Sequence, residues 1–370
     1  MATASEVLAL EELHQAAQAR LGLAAAFLSL AEWETVSTLN AEATAALWLA
    51  SSLRAIAAIR KMSRRLAVSY YQLTRALETG RTLGVPEGST PRNVTLGVLR
   101  DNFREQAIDV ASLPSTGTRS DDPDIRWFEE TLQELDSRDN SNARAIRLAD
   151  VPVEPLIQNL MDVEGSDDAR PIQVDRFDWT EDMSLEEVER TFKDLLRKQA
   201  IEHSADKVKE IRADEDLATD IALDHIEVAH AAAGSIGSGT VDAAGMDGGR
   251  EAIENAIRKD RLVKAVARGT SSDPCAFCAM LASRGFVYRN EKSAGLSEEI
   301  EKFHINCHCF PIVRFVRESE LPEMNRYFQE KWSEVTRGLS GNEARKAWRR
   351  WIYAQRKANP EAPHGARKTK

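Results

Sequence analysis

No stretch of this sequence approaches the roughly 18 apolar residues that a membrane span needs. The two best candidates, "LGLAAAFLSLA" and "ATAALWLASSL", are 11 residues each and are bounded by charged residues. A membrane-embedded protein is therefore not expected. The first residues, "MATASEVLALEELHQ", lack the basic start of a signal peptide and are acidic instead, which predicts a chain made and kept, at first, in a reducing cytosol. Proline is missing from residues 1 to 82, and glycine occurs there only at Gly22 and Gly80. That absence, with abundant Ala and Leu, predicts helices. Cysteine is the scarcest feature. There are four in 370 residues, all within "DPCAFCAMLASRGFVYR" (273–289) and "FHINCHCF" (303–310).

Length and composition otherwise describe an ordinary water-exposed protein of two or three domains, 29% charged and 42% hydrophobic. The net charge of −10 conceals an asymmetry. Residues 121–190 hold 21 acids and 7 bases, whereas residues 337–370 hold 10 bases and 2 acids. An acidic body thus carries a basic tail.

Hydrophobic periodicity and punctuation predict a mainly α fold: a helical N-terminal and central body, a small mixed α/β Cys/His module, and a basic helical tail. The boundaries fall at 1–120 (helical), 121–182 (acidic, linker-like, with short elements), 183–268 (long helices), 269–316 (the module) and 317–370 (the tail). A long helix is expected from an Asn40 N-cap to a Gly80 stop, with Leu47, Leu49, Leu53, Ile56 and Ile59 as its apolar stripe. "RKMSRR" at 60–65 reads as a solvated face. "SLEE" at 184–187 is a capping box, with Ser184 capping and Glu187 reaching back. "GSIGSGTVDAAGMDGG" at 234–249 reads as a flexible break between two helices.

Few catalytic patterns survive inspection. "HIEVAH" at 225–230 spaces its histidines five apart, so on a helix they splay by roughly 140° and cannot share a metal as a zincin pair does. "GSIGSG" fits neither a nucleophile elbow nor a phosphate-binding loop. No paired carboxylates and no Ser/His/Asp arrangement stand out, so a non-enzymatic role is expected. The cysteine pieces carry the strongest chemical signal. Cys275 and Cys278 form C-x-x-C, a spacing that lets two thiolates grip one tetrahedral zinc. "HINCHC" then offers His304, Cys307 and Cys309, with His308 as a substitute; 28 residues separate Cys278 from Cys307. Four of these would hold a structural Zn2+; packed thiols and a late disulfide are the alternatives. In the tail, Arg345, Lys346, Arg349, Arg350, Arg356 and Lys357 interleave with Trp348, Trp351 and Tyr353. That pattern suits nucleic acid or an amphipathic helix docked on protein.

"ARGTSSDPCAFCAMLASRGFVYR" followed by "FHINCHC" resembles the signature of MuF-like minor capsid proteins of tailed bacteriophages, in the branch found in phages of actinobacteria. The matching positions are Cys275, Cys278, Gly285, His304, Cys307 and Cys309. The resemblance implies a helical region ahead of the module and a part in head morphogenesis. It implies a virion location, in the head interior or at the portal vertex, after synthesis in the host bacterial cytoplasm. The partners it implies are the portal protein and the major capsid or scaffolding protein, with phage DNA as a further one. Some relatives carry the label of capsid maturation protease, which makes a head-carried enzyme the alternative expectation.

Overall fold

A computed structural model describes residues 4–84, 93–114, 120–138, 146, 148–214, 217–270, 274–286, 308–316 and 319–358. The fold is mainly α, as the periodicity predicts. Three long helices make its spine: α1 (Ala4–Trp33), α3 (Ala46–Thr79) and α9 (Thr219–Lys259), each packed on the other two. α1 is buried on nearly every side by the other two helices and their neighbours, its Glu6, Glu11, His14 and Gln18 included. Leu10, Leu13, Leu21, Ala24, Ala25 and Leu28 are all fully buried. "LGLAAAFLSLA" is thus the middle of a buried helix.

The spine required two revisions of the helix boundaries. The helix expected from Asn40 is split into α2 (Ala41–Thr44) and α3 at Ala45, and the Asn40 side chain makes no cap. Its end is as expected, since Gly80 closes α3 with φ +70° and bonds back to the Ala76 carbonyl. On α3, Leu53, Ile56 and Ile59 are buried, but Leu47 is exposed and Trp48 takes the inward place, donating from Nε1 to the Ser29 carbonyl at 3.0 Å.

The larger correction concerns the glycine-rich segment. α9 runs unbroken through it. Its glycines replace side chains where helices nearly touch. A Cβ on Gly248 would stand 2.9 Å from both the carbonyl carbon and the Cα of Arg60, and one on Gly237 would stand 2.8 Å from the Trp48 ring. Close backbone approach, rather than flexibility, explains the composition.

Shorter helices surround the spine: α4 (Leu96–Ala111), α5 (Pro123–Asp136), α6 (Glu154–Val163), α7 (Leu185–Leu196) and α8 (His203–Arg212), with a π-helical turn at Arg197–Glu202 between the last two. α7 starts with the expected capping box, in which both reciprocal Ser184–Glu187 bonds are present. The stretch 139–182, weakly periodic in sequence, contains α6 and a short strand β2 (Gln173–Asp175), which pairs in parallel with β1 (Arg81–Leu83).

The basic segment at 60–65 is not a solvated face. Arg60 is buried and bonds Asp182 at 2.8 Å and Glu251 at 2.6 Å, while Lys61 holds Asp122 and Asp124 at 3.1 and 2.8 Å. Further along, Arg75 joins Asp175 and Asp260, and Arg100 joins Glu6, Asp167 and Asp168. Six carboxylates of 121–182 (Asp122, Asp124, Asp167, Asp168, Asp175 and Asp182) are thus seated on cations projecting from α3 and α4. Removing one partner of the fully buried pairs Arg75–Asp260 and Arg100–Glu6 costs about 3–5 kcal/mol, because the other charge stays behind in low dielectric.

Candidate functional site

The module is built on an antiparallel strand pair. β3 (Ala265–Gly269) meets β4 (Phe310–Arg314) in the register Gly269↔Phe310 and Ala265↔Arg314. Between them lies α10 (Ala276–Ala282). Since Gly269 ends β3 opposite the first residue of β4, the pairing returns Cys309 to the side of the first cysteine piece. Cys278 and Cys309 are buried against each other and Cys275 packs on them. Cys275 is also the N-cap of α10, its Sγ accepting the Cys278 amide at 3.3 Å.

Three of the five primary metal candidates thus converge. His304 and Cys307 lie outside the described residues, and among the described residues no set of three His, Cys, Asp or Glu groups is arranged to hold a metal. His308, the substitute ligand, is turned toward the body: its Nε2 lies 2.9 Å from Oδ2 of Asp242, a buried residue of α9. Gly22 of α1 sits beneath this pair, where an added Cβ would come within 3.0 Å of the His308 ring. Beside it, Arg250 donates from Nε to the Cys309 carbonyl at 3.1 Å, with its guanidinium over the Phe310 ring at 5.2 Å. Asp242 and Arg250 were not read from sequence as site residues. Both lie within or next to the segment taken for a flexible break, so nothing local marked them.

Gly285, in the turn after α10, has φ +62°, and a Cβ there would also stand 2.8 Å from Leu321 Cδ1. The glycine of the signature is therefore required twice, by backbone conformation and by space.

The tail covers the other side of the module. α11 (Glu323–Val335) and α12 (Gly341–Ala358) both pack on α10. Asn325 donates to the carbonyls of Arg268 and Ala282 at 2.9 and 3.1 Å. Trp348 is 1% exposed and donates from Nε1 to the Ala276 carbonyl at 2.9 Å. Its ring stacks on Trp351 and meets Trp332 and Phe328 edge-on. Arg356 reaches the Pro274 carbonyl at 3.2 Å. The indole of Trp348 is thus packed against protein, while Arg345, Lys346, Arg349, Arg350, Tyr353 and Lys357 are exposed.

One further histidine deserves description. His14 on α1 is fully buried, stacked on Tyr70 with ring centroids 4.1 Å apart, and receives a bond from the Gln18 side-chain amide at 3.2 Å. Burial holds its imidazole down at about 3, neutral at any ordinary pH. His230 of the zincin-like sextet is likewise a core residue, stacked on Trp33 and bonded to Ser204. Burial lowers its pKa too.

A family model described as VG15 protein, a phage-related family, matches residues 176–335. The matched stretch begins just after β2 and takes in α7 to α11 with the whole cysteine module, stopping short of α12. It is under half of the chain, and it points to a phage-encoded protein. No curated protein and no solved structure matches the chain. No helix of the described residues is long and apolar enough to cross a membrane.

Proposed function

We propose that the protein is a minor component of a phage head, acting in head morphogenesis from the portal vertex or the capsid interior through contacts with portal and capsid or scaffolding proteins. The observation that carries this reading is the module. Three of the four thiols that resemble the MuF-like signature, Cys275, Cys278 and Cys309, come together, its glycine occupies a left-handed turn, and the phage-family match spans it. Within this reading a structural Zn2+ ties the two cysteine pieces of the module together. Four of Cys275, Cys278, His304, Cys307 and Cys309, with His308 as substitute, would hold it.

Quantitative mass spectrometry of purified particles and of their empty precursors tests the proposal. Full-length chain at a few copies per particle is the expected result. A chain present in precursors but trimmed or missing in mature particles would instead indicate a maturation protease or a transient factor, and would overturn it.

A further inference from the structure

The first turns of α9 bury one face and leave apolar side chains on the opposite one. Ile226, His230 and Ala233 point inward and are buried. On the opposite side Ile221 and Val228 lie seven residues apart, which is the same face of a helix. They are 46% and 69% exposed, with the exposed Asp224 and His225 between them on that face. Asp220, Asp224 and Glu227 flank this stripe, all exposed, and no Lys or Arg occurs between positions 219 and 249. Two such stripes placed together would bring carboxylates face to face, so the stripe does not suit itself. It suits a cationic helix with some apolar surface of its own.

The chain carries such a helix. On α12 the positions 346, 349, 350, 353 and 357 follow the i, i+3, i+4, i+7, i+11 spacing of one face. They are Lys346, Arg349, Arg350, Tyr353 and Lys357, all exposed, with Tyr353 at 56% in the middle of the cations. Long Lys and Arg stems add apolar surface beneath their charges. Within one molecule the two faces cannot meet. α12 is anchored on the module through Trp348, and the module joins α9 at Asp242, 14 residues or about 21 Å along the helix from Val228.

We propose that the exposed stripe of α9 receives α12 of a second copy of this chain. The pairing is heterologous, head to tail, so each copy offers one α9 face and one α12 face. Repetition of the contact gives a ring if the rotation closes and a short open array if it does not. A single helix pair buries less than the roughly 1,200 Å² of a stable complex. The association is therefore weak and reversible, and it loosens with salt because its charges sit in solvent.

Sedimentation velocity of the full, reduced chain over a concentration series is the test. The unmodified chain is expected to grow in mass with concentration and to return toward monomer in high salt. Two variants at exposed positions are each expected to stay monomeric: one with Asp220→Lys, Asp224→Lys and Glu227→Lys, the other with Arg349→Glu and Arg350→Glu. Mixed together they are expected to associate again, since each now offers the charge the other lacks. A parent that is monomeric throughout, association untouched by either set of reversals, or a mixture that stays monomeric would each overturn the proposal. If the Arg349→Glu, Arg350→Glu variant loses binding to duplex DNA while self-association persists, the α12 face serves nucleic acid and the proposal fails. Far-UV circular dichroism on each variant separates loss of contact from loss of fold.

Discussion

Replacing Gly248 by alanine sets two physical effects of opposite sign against each other. In a helix interior, alanine is favoured over glycine by about 1 kcal/mol, so propensity alone predicts a more stable protein. Packing predicts the reverse. The new Cβ would stand 2.9 Å from the Cα and carbonyl carbon of Arg60. These are backbone atoms of α3 and have no rotamer into which to retreat. Ordinary contact needs a spacing of about 3.5–4 Å, so α3 and α9 must part by roughly 0.5–1 Å at their crossing, which forfeits a quarter to a half of each dispersion contact along the seam. Overpacking of this kind costs about 1–3 kcal/mol, with the upper end applying where backbone meets backbone. The seam also positions the buried Arg60 against Asp182 and Glu251. The expected net effect is a loss of about 2 kcal/mol. Urea unfolding followed by circular dichroism measures it. Gly245→Ala is the internal comparison. Its Cβ meets the Ile59 Cγ2 methyl at 2.6 Å, a side-chain atom that can rotate, so its change should be smaller. A Gly248→Ala protein more stable than the parent would refute the close-packing account and restore the flexible reading of the glycine-rich segment.

Other expectations are as direct. Trp348→Ala should cost about 3–5 kcal/mol and expose α12 to limited proteolysis, whereas Tyr353→Ala, at an exposed position, should change stability by less than about 0.5 kcal/mol. For His14, with its folded pKa down at about 3 against about 6.5 unfolded, protons bind the unfolded chain preferentially. His14 by itself should therefore contribute a loss of about 1.4 kcal/mol per pH unit as pH falls from about 6.5 toward about 3. His14→Gln should show a shallower slope in the same urea series, and equal slopes would contradict the burial argument. The zinc proposal predicts about one equivalent of metal in the reduced protein, by elemental analysis. It further predicts that Cys275→Ser together with Cys307→Ser releases the metal and opens residues 270–315 to protease. Metal-free parent protein with unchanged resistance in the double variant would end that proposal.

What could be read from sequence was what is decided locally. The Ser184 capping box and the Gly80 stop each rest on a few neighbouring residues, and each is present in the structure. The convergence of Cys275, Cys278 and Cys309 was legible because spacing alone restricts what thiols can do. The misreadings concern contacts between distant segments. Glycine content cannot by itself distinguish a hinge from a helix pressed against another helix, so α9 was divided in two. A run such as "RKMSRR" looks solvated until the acids of a segment more than a hundred residues away settle on it, as Asp182 does on Arg60. His308 reads as a spare ligand, yet its partner is Asp242, which no local pattern marks.

The salt link between β4 and α1 bears on how this chain is made. Glu11, buried near the start of α1, is bonded by Arg314 at the end of β4, and Nη2 reaches Oε2 at 2.8 Å. The two residues are 303 positions apart. At roughly 5–20 residues per second, a ribosome delivers the arginine about 15–60 s after the glutamate. Throughout that interval the N-terminal helices close around a carboxylate whose cationic partner is missing and which has the Tyr70 hydroxyl as its donor. The nascent body therefore stays weakly closed, or holds a protonated Glu11, until the module emerges. A truncation that stops short of Arg314 would leave the chain in that interim state permanently, so the last quarter of the sequence finishes the first.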